Sequence, residues 1–238
     1  MKFHAPLLKG KLIQRYKRFF ADVELDTGET VTAHCANSGS MLSVKPEGAP
    51  VWISPAQNPD RKLKFTWEIV QIKSHKVGIN TGLPNALVSE AIENGVVPEL
   101  SGYDSLRREV KYGKNSRIDI LLEGGGKPPC YVEVKNVTMR RDLSEGGPAE
   151  FPDAVTTRGA KHLVELADMV KQGHRAVMFY LVQRGDAPVF TIAGDIDPEY
   201  ADGLKKARKS GVEVLCYKCQ VTPKQIRVTE PLTVDLPV

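Results

Sequence analysis

Long apolar runs are missing from this 238-residue chain. The longest, AVMFYLV from Ala176, falls well short of the roughly 20 residues of a membrane helix and reads as a buried strand. The opening MKFHAPLLKGK has neither the apolar core nor the small-residue cleavage site of a signal peptide, so a cytoplasmic protein is expected. Cysteine is scarce: Cys35, Cys130, Cys216 and Cys219 make no disulfide framework in a chain of this length. The last two form CYKC, but within GVEVLCYKCQV, which reads as a strand, an offset of three sends the thiols to opposite faces. No second pair exists to complete a four-ligand zinc site. No internal repeat or low-complexity tract appears, and EGGG is no phosphate loop, because no helix follows it.

What remains is globular in composition, with 41% hydrophobic and 26% charged residues. The formal charge is +4, a weak pointer to a nucleic-acid partner. Residues 1–83 hold 12 Lys and Arg against 7 Asp and Glu, so the first third carries about the whole excess.

That first third reads as all-β. Short alternating runs (KLIQRYKRFFADVEL, ETVTAHCA, APVWISPA, KFTWEIVQIKS) are broken by DTGE, NSGS, KPEG and QNPDR. Five strands in about 80 residues suit an OB-like barrel, and spacing alone leaves an SH3-like one open. From Pro84 the period changes. PNALVSEAIENG has proline at the first helical position and Gly95 as a stop. In DAVTTRGAKHLVELADMVKQG, Asp153 is the expected N-cap and Ala160, Leu163, Val164, Ala167 and Val170 the expected apolar stripe. DPEYADGLKKARKSG has Asp197 as cap and Gly211 after its end. With the strands between them, the predicted order is helix, three strands, helix, strand, helix and a strand, VEVLCYKC, that closes the sheet. The expected fold class is α+β in two domains: an OB-like β-barrel over 1–83, then an α/β domain with a central mixed sheet over 84–238.

Two strands of the second domain carry charge where apolar residues are the rule. In SRIDILLEGGGKPPCYVEVKNVT, Ile118, Ile120 and Leu122 share one face and Asp119 takes the other; Val132 and Val134 point one way, Glu133 and Lys135 the other. If the strands pair, two carboxylates and an amine gather on one side. That is a solvated, salt-bridged face or a metal site. The order α-β-β-β-α-β resembles the core of the PD-(D/E)xK nucleases (the restriction-endonuclease-like fold), whose Asp lies on the second strand and whose (D/E)-x-K lies on the third. Asp119 and EVK fall at those places, with Ile118 where the name-giving proline would stand. Phosphodiester hydrolysis needs a hard cation to neutralise phosphate charge and acidify water. Mg²⁺ accepts one or two carboxylates and keeps several waters, Mn²⁺ being the alternative, with the Val134 carbonyl as a further ligand. Lys135 would orient or deprotonate the water.

Three further sets are candidates. Glu90 borders the apolar stripe of its helix and is positioned to reach the metal or its water; an exposed surface glutamate is the plain alternative. Arg158 and His162, four apart, are neighbours off the apolar stripe of the second helix, as a nucleic-acid contact or a solvated face. In the barrel, Arg15, Tyr16, Lys17 and Arg18 mix phosphate-neutralising and base-stacking groups, although alternation puts one of Phe19 and Phe20 in the core.

With these segments in view, the chain resembles the sugar fermentation stimulation protein family. The resemblance runs through RYKRFFADV, ANSGSM, GINTGLPNALV, SRIDILLEG, YVEVKNVT and TTRGAKHLVEL. It implies an OB-like domain joined to a nuclease-like one, DNA binding of low sequence specificity and a regulatory part in sugar use, maltose in particular. Asp119, Glu133 and Lys135 carry over as its nuclease-like positions. Two functions follow: a Mg²⁺-dependent nuclease, or a DNA-binding regulator with a silent nuclease fold. The partner is duplex or single-stranded DNA, with RNA open.

Overall fold

The structure, a computed structural model, describes residues 1–58, 60–113 and 116–236. Six strands open the chain: β1 (Leu8–Tyr16), β2 (Phe20–Leu25), β3 (Thr30–His34), β4 (Pro50–Pro55), β5 (Phe65–Ile72) and β6 (His75–Gly78). Their order is β3-β2-β1-β4-β5-β6, and a parallel β3–β5 pairing through Ala33↔Phe65 and His34↔Thr66 closes the first five into a barrel. This is the OB-like barrel expected. Alternation fills it: Ala21, Val23 and Leu25 of β2 and Val31 and Ala33 of β3 point inward, around a fully buried Trp67 whose indole N–H donates to the Ile69 carbonyl.

The rest is an α/β domain. Helix α1 (Pro84–Glu93) leads to β7 (Ser105–Tyr112), β8 (Ser116–Glu123) and β9 (Cys130–Val137). Then come β10 (Ala149–Phe151), α2 (Thr157–Lys171), β11 (Arg175–Val182), β12 (Val189–Ile192), α3 (Pro198–Lys209), β13 (Glu213–Val221), β14 (Ile226–Pro231) and β15 (Thr233–Asp235). The main sheet runs β14-β13-β11-β9-β8-β7 and is mixed: β9, β11 and β13 are parallel, the flanking pairs antiparallel. Strand β11 lies at its centre, covered on both faces, which is why its sequence is one apolar run. Helices α2 and α3 cover one face and α1 the other. Among the described residues no helix is long and apolar enough to cross a membrane.

Several expectations are corrected. Strand β13 does not close the sheet, because β14 pairs beyond it. A small parallel sheet, β10-β12-β15, is built from strands of three or four residues, too short to show a period. Asp153 does not cap α2; Thr156 does, accepting from the Gly159 N–H. Asp197 caps α3 as expected and also accepts from the Thr156 N–H, tying the two helix starts together. Cys216 and Cys219 sit on opposite faces of the sheet, in separate cores. Ile118 leaves the face of Ile120 and Leu122 and joins the α2 side, so the alternation of β8 breaks at Asp119.

The two domains meet closely where β6 reaches the end of β11. The Gly78 N–H donates to the Gln183 carbonyl at 2.9 Å. A Cβ at Gly78 would stand 2.5 Å from Gln183 Oε1, so glycine permits the approach. Beneath the joint, Arg140 and the fully buried Arg184 share Asp186 at 2.6–2.9 Å.

Candidate active site

Strands β8 and β9 pair only through Ile120↔Val132, Leu121↔Tyr131 and Leu122↔Cys130. Beyond Ile120 the ladder gives way to a side chain: Asp119 Oδ2 accepts from the Val134 N–H at 2.7 Å. Asp119 Oδ1 accepts from Asn85 Nδ2 at 2.8 Å, and the same nitrogen donates to Glu109 Oε1 at 2.8 Å. Asn85 stands in the first turn of α1. Glu109, opposite the fork on β7, has a φ of +56°, a strained conformation for a residue with a side chain.

Glu133 faces the same fork and is 2% exposed. Its Oε1 accepts from Lys135 Nζ at 2.8 Å and from His162 Nδ1 in a very short contact. With Nδ1 donating, His162 Nε2 is left as the acceptor for Arg158 Nε at 3.4 Å. Glu133 Oε2 is buried with no hydrogen-bond partner among the described residues. A buried carboxylate oxygen without a donor is costly unless something positive reaches it.

The electrostatics follow from this crowding. Burial, then the charge of Glu133, pushes Asp119 up to about 6, against the Val134 N–H, Asn85 and Lys135. Burial works on Glu133 in the same sense, but His162 and Lys135 outweigh it and hold its carboxyl below the ordinary range. The buried Tyr112 phenol is pushed up by burial and then by the negative charges of Glu133, Glu165 and Asp119.

Asp119, Glu133, Val134, Lys135, Arg158 and His162 line one cleft of about 410 Å³. The barrel supplies the facing wall through Asn37, Ser38 and Gly39, with Thr81 from the segment that follows β6. Asp153 holds that wall: its Oδ2 accepts from the Met41 N–H at 2.8 Å and its carbonyl from Ser40 Oγ at 2.5 Å. Asn37, Ser38, Asn85 and Glu109 escaped sequence reasoning. Only the polar Asn85 just inside the proline-marked start of α1 gave a signal.

Glu90 is elsewhere. Its carboxylate pairs with the Met1 α-amine at 2.6 Å, and it does not line the cleft. Five residues past Asn85 it is turned about 140° around the helix axis. His162 is also not where the helical pattern puts it. The buried side of α2 is Gly159, His162, Leu163, Leu166, Ala167 and Met169, while Val164 is 62% exposed. The helix is thus rotated from the expected stripe, and His162 turns inward to Glu133.

The barrel cluster divides. Arg15 Nη2 donates to the carbonyls of Asn37 at 2.9 Å and Gly39 at 3.0 Å, so its guanidinium braces the cleft wall. Lys17 (φ +46°) and Arg18 (φ +63°) form the exposed tip of the β1–β2 hairpin. Phe19 is 47% exposed and Phe20 stacks on Tyr16 at 5.4 Å, so neither enters the barrel core.

Family models match both parts: the SfsA N-terminal OB domain over residues 13–79 and the sugar fermentation stimulation protein RE domain over residues 82–225. The chain belongs to the sugar fermentation stimulation protein family. The homologue from Rhodospirillum rubrum is 62% identical over 230 residues, covering 94% of each chain. That from Paramagnetospirillum magneticum is 58% identical over 236 residues, covering 99% of this chain and 98% of its own. Within the family, the structure of Pyrococcus furiosus SfsA in complex with Ca²⁺ superposes with a TM-score of 0.88 at 26% identity, covering 99% and 98%.

Whether the fork suits a cation turns on its donors. Among the described residues no three His, Cys, Asp or Glu side chains stand close enough to enclose an ion. Two carboxylates do converge, one with an unpartnered oxygen. That set fits a hard cation that keeps most of its ligands as water, and not zinc.

Proposed function

We propose that this protein is a divalent-cation-dependent nuclease of low sequence specificity, acting on nucleic acid drawn into the cleft between barrel and α/β domain. The observation that carries the reading is the unpartnered Glu133 Oε2, in a carboxylate 2% exposed and set against Asp119. Asp119, Glu133 and the Val134 carbonyl would hold Mg²⁺ or Mn²⁺, which when bound supplies charge neutralisation and an acidified water. The Ca²⁺ in the Pyrococcus furiosus relative supports a hard-cation site in the family. The OB-like barrel, with Lys17, Arg18 and Phe19 at an exposed hairpin tip, supports nucleic acid as the partner.

Each side chain then has a task. His162 and Lys135 hold Glu133 ionised and oriented through Oε1, leaving Oε2 without a donor among the described residues. Lys135 Nζ, held 2.8 Å from Glu133 Oε1, is the proton-handling group beside the attacking water. Arg158, whose exposed guanidinium reaches only His162 among the described residues, is the group for a phosphate oxygen.

The test is cleavage of labelled single-stranded, duplex and branched DNA, and of RNA, with Mg²⁺ or Mn²⁺. Cleavage by the wild type and loss of it in Lys135→Met supports the reading. Absence of cleavage on every substrate, with melting insensitive to either cation, rejects it. The second reading, a DNA-binding regulator of sugar (maltose) utilisation with a silent site, is favoured by the family's description alone.

A further inference from the structure

We infer that the cleft accepts a single unpaired strand of nucleic acid and excludes the intact duplex, with the barrel loop Asn37–Gly39 as the wall against which that strand lies. The inference rests on the nuclease reading for its chemistry, but its substance is the shape and rigidity of the cleft. Of the groups that would act, Glu133 is 2% exposed, Asp119 and Lys135 are half-buried, and Arg158 alone is exposed. A phosphodiester must therefore enter the cleft; it cannot be reached while resting on the surface. The space is about 410 Å³, near the lower end of the 300–1,000 Å³ typical of small-molecule sites. It is room for a nucleotide-sized group, and paired strands would have to lie across its mouth, away from the buried Glu133.

The barrel wall is also fixed. Arg15 ties the Asn37 and Gly39 carbonyls together, Asn37 Oδ1 accepts from the Gly39 N–H at 2.9 Å, and Asp153 holds Ser40 and Met41 from the other domain. Thr81 Oγ1 donates to the Ala36 carbonyl at 2.8 Å. A Cβ on Gly39 would stand 2.8 Å from Asp153 Oδ2, so the two domains are already in closest approach there. Swinging the wall outward to admit a duplex breaks several of these bonds together.

The donors inside the cleft suit an unpaired nucleotide. Asn37 is 5% exposed, and its side-chain nitrogen has no protein partner among the described residues. Arg158 has no carboxylate partner among them either. An amide donor in the cleft can meet the Watson–Crick edge that only an unpaired base presents, while a guanidinium takes the phosphate.

The experiment compares one labelled oligonucleotide as single-stranded DNA, as the equivalent RNA, as a blunt duplex and as a duplex with a single-stranded tail. With Mn²⁺ or Mg²⁺, the single strand and the tail are expected to be cut at least about tenfold faster than the blunt duplex. Interior cutting of the blunt duplex at the single-strand rate overturns the inference. If nothing is cut, the nuclease reading fails and affinity measured in Ca²⁺ decides this one. Tighter binding of the single strand by about tenfold sustains it, and equal or tighter duplex binding overturns it. Two wall variants complete the test. Ser38→Glu, at an exposed position, and Asn37→Asp, which keeps the acceptor for Gly39, each bring a negative charge to the strand's path. Both are expected to weaken single-strand binding about tenfold; melting is expected to hold in Ser38→Glu and to fall in Asn37→Asp, whose new charge sits at a 5%-exposed position. Full affinity in both variants removes the barrel loop from the cleft wall.

Discussion

Asp119 and Val134 are joined by a hydrogen bond from backbone to side chain: the Val134 N–H donates to Asp119 Oδ2 at 2.7 Å, where the β8–β9 ladder has ended. A carboxylate thus stands in for a strand. The sheet opens into a fork there, the freed N–H is satisfied, and the preceding side chain, Glu133, lines the same opening. A carboxyl so placed is poorly solvated and lies beside a like charge, and this gives the first prediction.

Asp119, raised to about 6 by burial and then by Glu133, binds its proton more tightly in the folded than in the unfolded chain. Its contribution to stability is therefore full below about pH 4 and lost as pH rises through about 6, a loss on the order of 2 kcal/mol. Urea midpoints of cation-free protein at several pH values between 4 and 7 measure it. The fall is expected to be smaller in Asp119→Asn and in the wild type with Mg²⁺, because the cation favours the ionised carboxylate. An identical pH profile in Asp119→Asn contradicts the assignment.

Lys135→Met keeps the aliphatic stem and removes the ammonium from Glu133 Oε1. His162 still donates to that oxygen, so folding is expected to survive. If Lys135 handles the proton, cleavage falls about 10²- to 10⁴-fold while the Mg²⁺-induced rise in melting temperature remains. Loss of both together makes the lysine a structural partner of Glu133 and no more.

Away from the cleft, Asp186 is the sole carboxylate among the described residues to pair with either Arg140 or Arg184, the latter fully buried. Asp186→Ala leaves two buried guanidinium groups without it and is expected to cost about 3–5 kcal/mol, read as a lowered denaturation midpoint. Burial acts to raise the Asp186 carboxyl, but Arg184 and Arg140 prevail and hold it at about 2. Its contribution is therefore present above about pH 4 and lost as pH falls toward 2. A variant within experimental error of wild type contradicts this.

How far the sequence could be read depended on how local each signal was. The proline-marked α1 and the Asp197 cap are local, and the structure has them where the pattern does; the run KLIQRYKRFFADVEL, read as one alternating stretch, instead turns at Lys17–Phe19 to give β1 and β2. The spacing of Asp119 to Glu133 and Lys135 was readable because the hairpin brings them together whatever surrounds it. What α2 turns inward was not readable. A histidine and an exposed Val164 reverse the usual preference, and only Glu133, across the fold, explains why His162 is buried. Glu90 and Asn85 differ by about 140° of rotation about α1, so Asn85 meets the fork while Glu90 pairs with the Met1 amine. The strands of the small sheet are too short for any period, so they exist only as tertiary pairings.

The barrel cluster separates bracing from binding. Arg15 reaches two loop carbonyls, so Arg15→Ala is expected to cost about 1–3 kcal/mol and to loosen the Asn37–Gly39 wall. Lys17 and Arg18 do not brace it; both are exposed, and both hold a positive φ that glycine adopts freely. Replacing Lys17 and Arg18 together by glycine therefore removes two charges while relieving backbone strain, and stability is expected to hold or rise slightly. If the hairpin tip touches the phosphate backbone, affinity for unrelated sequences falls alike, and the slope of log K against log salt shrinks by about one for each phosphate no longer neutralised. Isotherms at three salt concentrations, paired with urea melts, read both quantities on the same variants. A double variant with an unchanged salt slope takes the tip out of the binding surface. An Arg15→Ala protein with unchanged stability and a lowered slope would instead return Arg15 to the phosphate-binding role that its position in RYKR first suggested.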